Sequence, residues 1–489
     1  MFINSKGNYV DGKWNVASGE IMCSVSPVTE ESIWQGNASN AQEIQSAVIA
    51  AKKAFGYWSK KNVDERIEFV YKYREILKDN TDYLARYISY EVGKPLWEAK
   101  TEVNSMIGKV DSSIDAYFQR NKEVINNQGK TKSITKFRPH GVAAIIGPYN
   151  FPGHMPNGHI LPALIAGNTI VLKPSEKVPC VSEIIMELWE KTGIPNGVIN
   201  MVQGMGNIGD MLVNHDDINA VFFTGSRYVG RKIAEACLNK KICALEMGGN
   251  SPLIVWDAVD IDAAVLMTIQ SAFITSGQRC SSARRLIVKE GDFGDAFLKR
   301  LQQVCEKLVI GKVEDMPEPF MGPMKNCELV NELLDFQNKL IASGAKIIVK
   351  SKRISDLGSA YVTPGIIDVT GLDIEDVEVI GPFLRVARMS SLDEAINEAN
   401  NTKYGLAAGI ITEDKCLYNE FAEKIEAGIV NWNQQLTGAS GRAPFGGIKE
   451  SGNYRPSGYL ATDYCVYTVA SMENDSVCLP ETLPKGVVL

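Results

Sequence analysis

Histidine is scarce in this sequence. Only His140, His154, His159 and His215 occur in 489 residues, and none takes the His-Glu-x-x-His spacing of a zinc helix. Ten cysteines run from Cys23 to Cys478 without a Cys-x-x-Cys pair, so no metal site and no disulfide framework are expected, and a reducing compartment fits. Long apolar runs are missing as well. No stretch approaches the roughly 20 residues that span a bilayer, and the opening MFINSKGNYVDGKW has neither an apolar core nor a small-residue cleavage site. A soluble, cytoplasmic chain is expected, with no membrane partner. Positive charge is in deficit, with 51 Lys and Arg against 58 Asp and Glu for a net charge of −7. No basic run is present to neutralise consecutive phosphates, which argues against nucleic acid.

What is present is ample core. A chain of 489 residues with 45% hydrophobic content is too long for one core, so two or three domains are expected. The first part reads as helical: Asn40 and Glu43 form a capping-box pattern, and Ile44, Ala47, Val48, Ala51 and Phe55 recur on one face. A second amphipathic helix starts near Asp64, with Ile67, Val70, Tyr73, Ile76 and Leu77 inward. After residue 140 short apolar runs bounded by Gly or Pro appear at 142–146, 169–172, 199–202 and 221–224, and these read as buried parallel strands. Helix-length segments separate them, such as 179–192 and the stretch after Gly225. The alternation is that of a doubly wound α/β domain. A strand at 253–255 and a helix after Asp260 open a second α/β region running to about residue 445. The charged and apolar alternation of 131–139 predicts a projecting edge strand that pairs with another subunit, as does the strand-like 464–469.

Four local patterns bear chemistry, each with a plainer reading beside it. Cys280, in Ser276-Gly277-Gln278-Arg279-Cys280, is either one more small buried hydrophobe or a nucleophile. Arg279, Arg284 and Arg285 lie close in sequence, where positive potential would favour its thiolate. Glu246, in Leu245-Glu246-Met247-Gly248-Gly249-Asn250, closes an apolar run at the edge where open sheets place ligands. Partial burial there would raise its pKa toward that of a general base. Asn150, in Gly147-Pro148-Tyr149-Asn150-Phe151-Pro152, either caps a turn or offers its amide to an oxyanion. Lys173-Pro174-Ser175-Glu176, Phe223-Thr224-Gly225-Ser226-Arg227-Tyr228-Val229-Gly230 and the turn of Gly204, Gly206 and Gly209 suit a nucleotide at strand ends and helix starts, or simply mark tight turns.

In this order and spacing the motifs, with Glu378-Val379-Ile380-Gly381-Pro382 and Pro444-Phe445-Gly446-Gly447, resemble the aldehyde dehydrogenase superfamily over nearly the whole chain. Tyr149, Met247 and Asn250 stand where the family has Trp, Leu and Lys. Ile380 replaces the usual Phe beside the nicotinamide. The resemblance implies a doubly wound dinucleotide-binding domain (1–120 and 140–248), a second α/β catalytic domain (249–445) and a small β oligomerisation arm (121–139 and 446–489), in a homodimer or homotetramer. It also implies roles. Cys280 would be the nucleophile, Glu246 the water-activating base and Asn150 an oxyanion donor together with the Cys280 N–H. Lys173 and Glu176 would hold the adenosine ribose, Glu176 repelling a 2′-phosphate so that NAD is the cofactor. Gly225, Ser226, Arg227 and Gly230 would take the pyrophosphate, and Glu378 the nicotinamide ribose. The segments Gly153-His154, Asn431-Trp432-Asn433-Gln434-Gln435-Leu436-Thr437-Gly438-Ala439-Ser440 and Ser451-Gly452-Asn453-Tyr454-Arg455-Pro456-Ser457 resemble a subgroup that oxidises a succinylated semialdehyde in arginine catabolism. Arg279, Arg442 and Arg455, helped by His154, are then candidates for its carboxylates. Another acidic semialdehyde, such as that of succinate or glutamate, is the alternative substrate. A catalytically silent binding protein is the non-enzymatic alternative.

Overall fold

Short apolar runs build the first sheet of the computed structural model, which describes residues 2–128, 131–480 and 482–489. Its order is Ile242–Met247, Ala220–Gly225, Val142–Ile146, Thr169–Lys173, Ile199–Met201, then Asn8–Val10 and Lys13–Asn15. The first five strands are parallel, Asn8–Val10 joins antiparallel to Ile199–Met201, and Lys13–Asn15 pairs antiparallel to Asn8–Val10. Every residue of Val142–Ile146 is buried, because successive side chains enter opposite cores. Ala143 and Ile145 pack into one core with the helices Leu96–Arg120, His154–Ala166 and Pro179–Glu190. Val142, Ala144 and Ile146 pack into the other with Ala41–Trp58, Gly206–Asn214 and Arg227–Cys237. The chain winds outward one way from Val142–Ile146 and then restarts on its other side. That reversal opens a crevice at the carboxyl ends of Val142–Ile146 and Ala220–Gly225.

The capping box at Asn40 and Glu43 is present at the first helix, and Asp260 caps Ile261–Ala272. The N-terminal region is less helical than its sequence predicts. Five short strands precede Ala41, including Ile21–Val25 and Ser32–Asn37, which form a small sheet with Ile3–Asn4.

A second seven-stranded sheet runs Lys346–Val349, Gly365–Asp368, Phe383–Met389, Ala283–Lys289, Ser251–Val255, Ala407–Ile411, Ile429–Trp432. Only the first of these is antiparallel to its neighbour. This sheet too reverses its winding, at Ser251–Val255, and the loops that enter Ala283–Lys289 and Phe383–Met389 carry residues 278–281, Glu378 and Ile380 to the crevice. A third sheet places Thr131–Pro139 between Val124–Gln128 and Val466–Glu473. This corrects the edge-strand expectation. Thr131–Pro139 has both sides paired within the chain, and the open edges belong to its two neighbours. Tyr464 lies in a short 3₁₀ segment, and the strand begins at Val466.

Candidate active site

The helix Leu96–Arg120 carries charged side chains on its buried stripe. Glu98, Glu102 and Lys109 lie among Ala99, Val103, Met106 and Val110. Side chains four apart share a helix face, so Glu98 and Glu102 point the same way but seize different loops. The Glu102 carboxylate accepts from the backbone N–H groups of Gly153 and His154, at 2.9 and 3.1 Å, capping the helix that follows the Asn150 loop. It also pairs with Lys94 at 2.6 Å, whose ammonium lies 3.3 Å from the Phe151 ring centroid. Glu98 accepts from the Thr275 N–H at 3.2 Å and from its hydroxyl, and pairs with Arg279 at 2.8 Å. Charges buried with their partners in this way are costly to break, so one helix fixes two loops against each other.

The second loop approaches Cys280 under strain. Thr275 and Ser276 both have left-handed backbone, φ 57° and 51°, followed by Gly277 at φ 68°. A Cβ at Gly277 would stand 2.0 Å from the Gly381 carbonyl oxygen, so only glycine fits. Arg284, 2% exposed, staples the turn. Its guanidinium donates to the carbonyls of Gly277, Gly381 and Arg279 at 2.6, 3.2 and 3.1 Å. Asn150 meets this loop, its amide donating to the Gln278 carbonyl at 2.7 Å while its oxygen accepts from the Phe151 N–H at 3.1 Å. An amide has two N–H donors, so one remains for a ligand.

Cys280 is partly buried, and its surroundings reverse the electrostatic expectation. Burial first, then the carboxyls of Glu378 and Glu246, push the thiol up to about 12, against which Arg284 pulls only weakly. Arg279 is spent on Glu98 and Arg285 on Glu398. Neighbours in sequence are therefore not neighbours in field. The Glu246 carboxyl, 2% exposed, is pushed up by burial to about 8; one oxygen accepts from the Ser457 N–H at 3.0 Å and the other has no partner. Glu378 is also held up by burial, with Arg284 opposing, and it packs against Gly248, where a Cβ would lie 1.8 Å from its oxygen.

These groups converge. A single cavity of about 1000 Å³ is lined by Asn150, His154, Lys173, Glu176, Gly225, Ser226, Glu246, Arg279, Cys280, Glu378 and Ile380. Its size is that of a cofactor-plus-substrate site. At the nucleotide end Ser226 caps the helix Arg227–Cys237, leaving the first amides of that helix toward the cavity. Lys173 is 3% exposed and lies 3.5 Å from Glu176. Gly206 and Gly209 open the wall beside it. A buried cation, free amides and acceptors for hydroxyls are a donor set that fits a dinucleotide.

Some residues predicted to line the site lie elsewhere. Arg227 pairs with Glu450, and Gly230 packs on Met247, where a Cβ would come 2.3 Å from the sulfur. Arg442 is exposed and paired with Asp115, Arg455 is exposed, and neither is in the cavity wall as described. Arg279 is in the wall but already bound to Glu98, Thr275 and the Thr437 carbonyl. Missed from sequence were Lys94, Glu98, Glu102, Lys109, Gln278 and Ser457. Charged residues on the apolar stripe of Leu96–Arg120 were the available signal.

A model of the aldehyde dehydrogenase family matches residues 14–469. The chain is 46% identical over 483 residues to N-succinylglutamate 5-semialdehyde dehydrogenase of Chromobacterium violaceum, covering 98% of this chain and 99% of that protein. It is 46% identical over 482 residues to the protein of the same name from Chromohalobacter salexigens, covering 98% of each. An NAD-dependent aldehyde dehydrogenase from Sinorhizobium meliloti superposes with a TM-score of 0.92 at 29% identity, over 98% of this chain and 97% of that one. Indole-3-acetaldehyde dehydrogenase in complex with NAD⁺ superposes with a TM-score of 0.90 at 30% identity, over 96% of each.

Proposed function

The chain belongs to the aldehyde dehydrogenase family, and from that premise we propose that it oxidises N-succinyl-L-glutamate 5-semialdehyde to N-succinyl-L-glutamate with NAD in arginine catabolism. The observation that carries the reading is the meeting of Cys280, Glu246 and Asn150 in one cavity with a nucleotide cradle. A catalytically silent protein would have no use for a base held near pH 8 beside a thiol. The proposal includes the division into 1–120 and 140–248 for the cofactor, 249–445 for catalysis, and 121–139 with 446–489 as an arm. It also includes a cytoplasmic homodimer or homotetramer, joined through the open edges of the third sheet. Sedimentation as a monomer would remove that last part. Among the described residues no helix is long and apolar enough to cross a membrane.

In the proposed mechanism the Cys280 sulfur adds to the aldehyde carbon as its proton passes to solvent, one of the two protons the overall oxidation releases. The resulting oxyanion takes the spare N–H of Asn150 and the Cys280 backbone N–H. Bound NAD supplies a hydride acceptor, which the aldehyde carbon needs in order to become a thioester. Lys173, Glu176, the Gly225 and Ser226 turn, and Glu378 orient that acceptor. Glu246 then takes a proton from water as it attacks the thioester. The carboxylate product leaves and the Cys280 thiol is restored.

The test is kcat/KM for N-succinylglutamate semialdehyde against succinate semialdehyde, glutamate semialdehyde and an uncharged aldehyde of similar length, with NAD and NADP. A clear preference for the succinylated aldehyde with NAD is expected, and a preference for another semialdehyde would replace it as the substrate. Glu176→Gln is expected to raise kcat/KM for NADP relative to NAD about tenfold, because a carboxylate at the ribose repels a 2′-phosphate. An unchanged ratio would take that role from Glu176.

A further inference from the structure

Part of the cavity wall carries none of the reacting groups, although its Gly458 follows Ser457, which donates to Glu246. Ser105 and Lys109 from Leu96–Arg120, His154, Met155 and Gly158 from His154–Ala166, and Gly458 form this part of the wall. Lys109 is 5% exposed, and its ammonium donates to the Gly458 carbonyl at 2.5 Å. Its stem lies over Gly158, where a Cβ would stand 4.0 Å from its Cε.

The charge around this part of the wall does not balance. Lys94 and Arg279 are matched by Glu102 and Glu98, but among the described residues Lys109 makes no pair with a carboxylate. The Cys465 thiol beside it is no counter-ion, because burial holds that group protonated far above its ordinary range. Burial brings Lys109 down to about 8, so it is still largely a cation at neutral pH and has donors to spare. His154 is short of a partner too: its Nδ1 is buried with no hydrogen bond. Burial, then Lys109, Lys94 and Arg279, hold that ring down at about 4, so it is neutral and carries one N–H. A buried cation without an anion is costly, and a carboxylate placed beside the Lys109 ammonium and the unpartnered His154 nitrogen would relieve that cost.

We propose that Lys109 and His154 form the carboxylate subsite for the acidic aldehyde, with the Lys109 ammonium as ion-pair partner and the His154 Nδ1–H as second donor. The assignment rests on the reading of an acidic aldehyde substrate, and it moves that role from the arginines to a lysine of the buried helix. Lys109→Met, Lys109→Arg and His154→Phe are compared with wild type by kcat and KM for N-succinylglutamate semialdehyde and for an uncharged aldehyde of similar length, at saturating NAD. The dissociation constant of the product N-succinylglutamate is measured by calorimetry as a readout free of turnover. Lys109→Met is expected to weaken product binding, and to raise KM for the acidic aldehyde, about 30-fold or more. Its ratio of kcat/KM, acidic over uncharged, falls at least tenfold. His154→Phe moves the same ratio less, and Lys109→Arg recovers part of it. Equal losses on both aldehydes, or unchanged product affinity, would overturn the subsite and leave Lys109 a structural tie to Gly458. If Lys109→Met does not fold, His154→Phe alone decides between the same two outcomes. Should wild type prefer another carboxylated aldehyde, the same ratio is measured with that one. The substrate reading then falls while the subsite is still judged.

Discussion

Cys280→Ala is expected to lower turnover of the aldehyde about 10⁴-fold or more, with NAD affinity within threefold of wild type, because the sulfur is the only group in the proposed site that can form a thioester. Hydride cannot leave an aldehyde carbon that has gained no oxyanion. Binding of NAD, by contrast, draws on Lys173, Glu176 and the Gly225 and Ser226 turn at the other end of the cavity. Quenched-flow mass measurement on wild type should find an acyl adduct on Cys280 and none on Cys280→Ala. Turnover above one per cent of wild type in the variant, or an adduct on another of the ten cysteines, would move the nucleophile elsewhere. The high thiol pKa adds a second expectation. Alkylation of Cys280 by iodoacetamide without cofactor should be slow below pH 9, since almost no thiolate is present when two carboxyls and burial oppose it.

That electrostatic reversal shows what sequence reading reached in this protein and what escaped it. Val142–Ile146 was legible to the residue, because an unbroken apolar run between Gly141 and Gly147 has few uses other than a doubly covered strand. The capping box at Asn40 was legible for a different reason: the pattern and its hydrogen bonds are local. Asn8–Val10 and Lys13–Asn15 were not, being three-residue strands of ordinary polarity whose only claim to be strands is the distant Ile199–Met201 that they extend. Thr131–Pro139 was legible as a strand but not as a central one, since its cover comes from Val466–Glu473, more than 300 residues on.

Side-chain direction was the deeper limit. Arg279, Arg284 and Arg285 sit within five residues of Cys280, yet each is spent on another task, one on Glu98, one on three loop carbonyls, one on Glu398. Lys109 is 171 residues from Cys280 in sequence and shares its cavity. A lysine on an amphipathic helix ordinarily reads as solvated surface, and only its register with Val103, Met106 and Val110 betrays burial. The signal was present as periodicity. Its meaning depended on which loops the helix packs against.

Glu246→Gln is expected to preserve a burst of about one NADH per active site and to cut steady-state turnover about 10³-fold, because glutamine is isosteric with the protonated acid but cannot accept the proton of water. A pre-steady-state trace on N-succinylglutamate semialdehyde separates the two phases. Sustained turnover near the wild-type rate would sink the hydrolytic role and point to acyl transfer to an added thiol. The carboxyl is raised to about 8, so the proportion in the basic form grows as pH rises; wild-type steady-state rate should climb through about pH 8, and the variant should lose that inflection. The same shift acts on stability. Between its ordinary 4.5 and about 8 the folded chain keeps the Glu246 proton while the unfolded chain has released it, so this contribution is present at low pH and is lost as pH rises through 8. Wild type should therefore lose more Tm between pH 5 and pH 9 than Glu246→Gln does, by a few degrees for a chain of this size. An equal loss in both would mean that Glu246 carries its charge in the folded protein without penalty. The water-activating base would then sit in a more polar setting than its partnerless oxygen and 2% exposure describe. The kinetic and thermal experiments thus question one property from two sides: a base strong enough to activate water near neutral pH is a carboxylate the fold resists ionising.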